Sequence, residues 1–135
     1  MIYMKVTTIL ISLLTTLTIL FSGCMTPVAI DPTTADQQTA LYQGGYFYAV
    51  VPGDSDTVFR TAIRAIDNMG ILRTGEIHKK DYTSIYARKV GDQKVVVRIR
   101  QIDEGRSEIR IRVGTIGDLP QSQKIYAKIR GALGT

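Results

Sequence analysis

Between residues 95 and 113 the chain alternates twice: Val95, Val97 and Ile99 are interleaved with Val96, Arg98 and Arg100, then Ile109, Ile111 and Val113 with Arg110 and Arg112. A period of two is the mark of a strand with one buried and one open face, so these runs predict a hairpin. Parity fixes its register, because a slip of one residue would turn core side chains to solvent. A three-residue loop Asp103-Glu104-Gly105 sets Ile99 against Ile109 and Val97 against Ile111. On the open side, Arg100 then faces Glu108, Arg98 faces Arg110, and Arg112 faces Val96. The same reasoning at the preceding turn predicts a loop at Gly91-Asp92-Gln93. That loop turns Ile85 and Ala87 inward, sets Tyr86 opposite Arg98 and places Arg88 beside Val96.

Elsewhere the period changes. In "DSDTVFRTAIRAIDNMG", Val58, Ala62, Ala65, Ile66 and Met69 fall on one helical face, which Phe59 and Ile63 widen. Asp54, Ser55 or Asp56 supplies the N-cap and Gly70 the stop. "GYFYAVVPG" precedes this helix as an apolar strand. "ILRTGEIHK", "TSIYARKV", "KVVVRIRQI" and "RSEIRIRVG" follow it as four more. The last element runs from Leu119 to about Leu133, with Asp118 beside its start, Pro120 in its first turn, and Ile125, Tyr126, Ile129 and Leu133 on its apolar side. The order β-α-β-β-β-β-α predicts an α+β two-layer sandwich, an antiparallel sheet with both helices on one face.

The first 43 residues have a different character. Lys5 precedes an apolar run from Val6 to Phe21, and Ser22-Gly23-Cys24 closes it. Positive, apolar and small, in that order, predicts a secretory signal over residues 1–23. The cysteine directly after the small pair makes the end similar to a lipobox, the cleavage and acylation signal of bacterial lipoproteins. A peptidase needs small residues to bind extended backbone there, and the Cys24 thiolate is the nucleophile that takes the diacylglyceryl group. An uncleaved transmembrane anchor is the alternative, but 16 residues are short for a span and no basic cluster follows. Residues 24–43, with two prolines and four threonines and no sustained period, read as an acylated cysteine and a flexible tether. The α+β domain then occupies residues 44–135. The expected location is the bacterial envelope, with membrane attachment at Cys24. Met25 in place of Asp after the cysteine points to the outer membrane, facing the periplasm.

Charge adds one constraint. The whole chain carries +5, and residues 44–135 carry 16 basic against 10 acidic side chains, a net of +6. That mild excess favours acidic surfaces without pointing to nucleic acid. Cys24 is the single cysteine, so no internal disulfide can form and the core alone must hold the domain.

The chemistry the sequence offers is concentrated on the open sheet face, where Tyr86, Arg88, Arg98, Arg100, Arg110 and Arg112 gather with Glu108 as the clear countercharge. Arginines on an open face keep it soluble and discourage edge pairing. Arginine forks beside a tyrosine ring also suit a carboxylate, a phosphate or a sugar acid. Other signals are weaker. "VGTIGDLP" places two glycines before a helix but lacks the Lys-Ser/Thr of a P-loop, and an Asp118-capped strand-to-helix turn accounts for it. His78 stands beside Lys79 and Lys80 at a strand end, where exposure is the default. With one histidine and no clustered carboxylates, no catalytic set, metal site or cofactor is expected.

The tail "EIRIRVGTIGDLPQSQKIYAKIRGAL" (residues 108–133) resembles the C-terminal signature of a family of small bacterial lipoproteins, domain of unknown function 3568. Arg112, Val113, Gly114, Thr115, Gly117, Asp118 and Ser122 match its pattern, while Ile116 and Leu119 stand where an aromatic and an acidic residue are usual. The "VVPGD" entry to the first helix and the signal-and-tether layout are also similar to that family. The resemblance implies an envelope lipoprotein of unassigned role and supplies no catalytic residues. The expected function is therefore a lipid-anchored, non-enzymatic binding or assembly module. Its partner would be another envelope protein or an anionic envelope component. The alternative is an accessory enzyme acting on an envelope polymer or glycolipid.

Overall fold

The structure, a computed structural model, describes residues 2–18, 25–29 and 39–134. Its elements are α1 (Ile2–Thr18), β1 (Thr26–Ala29), β2 (Thr39–Gln43), β3 (Tyr46–Pro52), α2 (Ser55–Asn68), β4 (Leu72–His78), β5 (Thr83–Lys89), β6 (Gln93–Asp103), β7 (Arg106–Val113) and α3 (Leu119–Leu133). The seven strands form one open antiparallel sheet in the order β1-β2-β3-β7-β6-β5-β4. Both α2 and α3 lie on one face, α2 against β4, β6 and β7, and α3 against β3 and β7. The α+β sandwich read from periodicity is therefore the observed fold, extended by two strands at one edge and by α1. Among the described residues, no helix is long and apolar enough to cross a membrane.

The core lies between helices and sheet. Phe47, Ala49 and Val51 of β3, Ile109, Ile111 and Val113 of β7, Val95, Val97 and Ile99 of β6, and Ile85 and Ala87 of β5 supply the sheet side. Val58, Ala62, Ala65 and Ile66 of α2 and Ile125, Tyr126 and Ile129 of α3 cover them. The Phe47 and Tyr126 rings meet at 5.1 Å between centroids. Burying each large aliphatic here contributes on the order of 1.5–3 kcal/mol. Both helices start on an aspartate cap: Asp54 Oδ1 accepts from the Thr57 amide at 2.9 Å, and Asp118 Oδ1 from the Gln121 amide at 3.0 Å. Gly70, at φ +69°, ends the turn after α2, and Gly134, at φ +80°, caps α3.

The extra strands fall within residues 24–43, the span read as a tether. Thr39–Gln43 pairs with β3 through a turn at Gly44-Gly45, both at positive φ (+57° and +79°), the geometry that a two-residue hairpin following the sheet's twist demands. Ala40 is 1% exposed. β1 pairs in turn with β2, Thr26 against Tyr42 and Ala29 against Thr39. The buried Gln123 side chain of α3 donates to the Ala29 carbonyl at 2.6 Å and pins that strand. Prolines and threonines masked the short alternation of Ala40 and Tyr42.

β4, the opposite edge, is exposed along its whole length, with a bulge between Arg73 and Gly75. An irregular edge carrying charged side chains discourages further strand addition. Arg73 reaches back to Asp67 at the end of α2 (2.8 Å) and to Glu76 (3.3 Å).

Candidate functional site on the open sheet face

The face away from the helices is built by simple alternation. In β7 the inward Ile109, Ile111 and Val113 leave Glu108, Arg110 and Arg112 outward; in β6 the inward Val95, Val97 and Ile99 leave Val96, Arg98 and Arg100. The β6–β7 register is the one expected, with Arg98 opposite Arg110, Arg100 opposite Glu108 and Val96 opposite Arg112. The turn differs. Asp103 pairs with Arg106, so Glu104-Gly105 form a two-residue turn, and the extra residue is absorbed as a bulge between Gln101 and Asp103. The Arg106 guanidinium, its Nε 2.8 Å from Asp103 Oδ2, clamps that turn and holds the Asp103 carboxyl below the usual aspartate range.

The β5–β6 register is offset by two residues from the expected one. Tyr86 lies opposite Val96, Ser84 opposite Arg98 and Arg88 opposite Lys94. The connecting residues are Val90-Gly91-Asp92, with Gly91 at φ +87° and Asp92 at φ +62°. Aspartate tolerates the left-handed region, so the turn sits one residue earlier than glycine placement alone implied. An offset of two preserves parity, and Ile85 and Ala87 still point into the core.

All six expected residues, Tyr86, Arg88, Arg98, Arg100, Arg110 and Arg112, thus share the open face, but the structure divides them. Arg110 donates from Nε to Glu108 Oε1 at 2.5 Å, and Arg100 reaches Glu108 Oε2 at 3.4 Å. Glu108 serves both. Arg88 belongs to the turn, where it pairs with Asp92 at 2.5 Å. Tyr86 stands two positions before it, beside Val96.

Three tyrosines that parity within the hairpins did not bring in complete the face. The Arg98 guanidinium lies 4.3 Å from the centroid of Tyr82, Arg110 4.9 Å from Tyr48, and Arg112 5.1 Å from Tyr46. These contacts explain how Arg98 and Arg110 tolerate being opposed. Arg98 leans toward β5, with Nε also donating to the buried Ser84 hydroxyl at 3.2 Å, while Arg110 leans toward β3. Each cation–ring contact contributes about 0.5–1 kcal/mol at such partly exposed sites. Stacking occupies the flat faces of the guanidinium and leaves for an anion those edge donors that Ser84, Glu108 and the Thr115 carbonyl do not take. Tyr46 and Tyr48 alternate with Phe47 in the sequence, but assigning them to this face requires the pairing of β3 with β7 (Tyr48 opposite Arg110), which no local pattern supplies.

At one end of the face, the strand ends enclose a cleft of about 570 Å³ lined by Arg88, Asp92, Gln93, Lys94, Val113 and the loop Gly114–Asp118. The loop is tightly specified. The Gly114 amide donates to the Lys94 carbonyl at 2.7 Å, and an Arg112 Nη2 donates to the Thr115 carbonyl. The buried Arg112 Nε has no partner among the described residues. Gly117 packs backbone to backbone on Gly45, and the Ser122 hydroxyl donates to the Asp118 carbonyl at 2.8 Å. Each residue of the "RVGTIGD…S" signature named above, Val113 in the core included, therefore has a place in fixing this loop and starting α3. His78 is largely exposed, 3.1 Å from Glu76 Oε2 and edge-on to Phe59, on the helix side of the sheet. Cys24 lies outside the described residues.

Compared with known families, residues 7–132 match the model described as "Protein of unknown function (DUF3568)". No curated protein matches the chain significantly.

Proposed function

We propose that this chain, which belongs to the DUF3568 family of proteins of unknown function, is a lipid-anchored envelope lipoprotein whose open sheet face binds an anionic partner. Acylation would fall on Cys24, the residue after Ser22-Gly23, and Met25 at the following position favours the outer membrane, facing the periplasm. The observation that carries the binding role is the arginine–tyrosine array. Arg98, Arg110 and Arg112 are laid on tyrosine rings, with Glu108 the carboxylate among them. Solubility needs charge but not a ring under each guanidinium, whereas recognition of a phosphate, carboxylate or sugar acid gains from donors held ready. The role is binding, with no chemical step assigned to these residues.

The test is capture from the envelope by in-cell crosslinking, comparing the native chain with one carrying Arg98→Gln, Arg100→Gln, Arg110→Gln and Arg112→Gln. Loss of one specific crosslinked anionic polymer or acidic protein supports the reading. Unchanged capture with reduced solubility sinks it. Turnover of a glycolipid or cell-wall fragment by the purified chain would replace it with the accessory-enzyme reading. For the anchor, Cys24→Ser should abolish labelling by a fatty-acid analogue, and persistent labelling would refute acylation there.

A further inference from the structure

The lipoprotein reading places acyl chains on Cys24, and the structure constrains where the domain then sits. β1 joins the sheet at Thr26. Only two peptide links separate Thr26 from Cys24, so their Cα atoms are at most about 7.6 Å apart. No tether of any length intervenes, and the first strand of the domain begins at the anchor.

The register identifies which end of the sheet this is. Thr26 pairs with Tyr42, two residues before the Gly44-Gly45 turn, so the chain enters β1 from the side of that turn. The same turn packs against Ile116 and Gly117 of the loop before α3. Crossing from β1 to that loop spans about two inter-strand distances, ~10 Å. Ile116 is 89% exposed at its tip. Across the cleft, in the β5–β6 turn, Val90 is 91% exposed, and Met25 itself is 56% exposed. Single exposed aliphatics are ordinary. Two loop tips and the residue next to the anchor, all at one end, form an arrangement that water alone does not favour. Lys94 lines the cleft between the two tips, beside Arg88 in its pair with Asp92, with Asp118 at the start of α3 completing the charged lining.

We propose that this end of the sheet is a membrane-contacting rim. Met25, Val90 and Ile116 enter the boundary between headgroups and acyl chains, and Lys94 meets phospholipid phosphates. Amphipathic surfaces bind bilayers through this pairing of buried apolar area and attraction to anionic headgroups. The strands then rise from the membrane, and the arginine–tyrosine face looks sideways along the membrane plane. The Glu104-Gly105 turn, at the far end of the eleven-residue β6, stands about 30 Å away.

The chain contains no tryptophan, so each single substitution gives a clean reporter. Full-length Ile116→Trp, Val90→Trp and Glu104→Trp proteins are purified from membranes and reconstituted into phosphatidylethanolamine–phosphatidylglycerol vesicles with brominated acyl chains. Acylation of Cys24 is read separately from the mass of its peptide, and intact folding from unchanged circular dichroism. The expected result is a blue shift and at least twofold quenching of the indole in the Ile116→Trp and Val90→Trp proteins, with Glu104→Trp unaffected. An acylated protein whose Ile116→Trp and Val90→Trp signals are quenched no more than Glu104→Trp overturns the rim and leaves the lipoprotein reading standing. A Cys24 peptide without acyl mass sinks that reading, and the rim with it.

Discussion

Gly45 and Gly117 press their backbones together where the β2–β3 turn meets the loop before α3, and neither tolerates a side chain. A methyl on Gly45 would stand 2.9 Å from the Ile116 carbonyl carbon, and one on Gly117 2.7 Å from the Gly45 carbonyl carbon. Both residues also hold positive φ, +79° and +95°. Gly45→Ala or Gly117→Ala should therefore cost about 2–4 kcal/mol, combining left-handed strain with a clash that backbone cannot relieve. Gly44, at φ +57° with open space around it, should lose only about 1 kcal/mol on replacement by alanine. Denaturant midpoints of the three variants measure the contrast. Asp54 offers a pH test. Its hydrogen bonds from the Thr57 amide and hydroxyl depress its folded pKa below the ordinary aspartate value of 3.8. The cap is thus fully stabilising above that value and is lost as pH falls through the depressed one. Asp54→Asn keeps an acceptor but cannot titrate, so its melting temperature should fall less between pH 5 and pH 2 than that of the native chain. Tyr126 gives the alkaline counterpart: burial raises its phenol above 10.0. Stability should decline as pH rises from about 10 toward that raised value, and Tyr126→Phe should remove this share of the decline in thermal melts.

At the scale of elements, Gln123 carries a disproportionate load. It is the side chain through which α3 holds the Ala29 carbonyl of β1, and β1 is a four-residue edge strand. Gln123→Ala should weaken that attachment by about 0.5–1.5 kcal/mol, the net contribution of one hydrogen bond whose remaining partner, on an exposed strand, is left to water. Hydrogen exchange should show β1 and β2 amides losing protection while β5–β7 amides keep theirs. The arginine face makes a separate prediction. Tyr48→Leu and Tyr82→Leu leave the net charge unchanged but take the rings from under Arg110 and Arg98. If donors are held ready, each variant should bind the captured anion about two- to fivefold more weakly. Equal affinity, measured by titration at constant salt, would mean that charge alone governs. These elements also mark how much the sequence disclosed. Period-two alternation disclosed the two faces and the Ile99–Ile109 and Arg98–Arg110 pairings, because parity is a strong local constraint. It cannot choose between registers two residues apart, which is why the β5–β6 pairing and the partner of Tyr86 differ from those expected. Nor can it supply Tyr46 and Tyr48, which reach the face only through β3.

For the whole molecule, the consequence of the strand order is temporal. β4, β5, β6 and β7 follow one another as hairpins with connections of a few residues, but β3 pairs with β7, setting Phe47 against Ile111, 64 positions further along the chain. A chain threaded from its N-terminus delivers β3 early, leaves one of its edges unpaired until β7 arrives, and leaves its apolar face without α3 until the last element follows. Local hairpins close in microseconds, whereas a contact across so long a loop forms after its entropy has been reduced by the rest. Val51→Ala, in β3, should therefore speed unfolding and scarcely alter the folding rate, while Val97→Ala, in the meander, should slow folding. Stopped-flow chevrons of the two variants would read the order directly, and the inverse pattern would place nucleation at the N-terminal strands. During that interval β3, paired only with β2, is the segment of the chain most open to pairing with another copy.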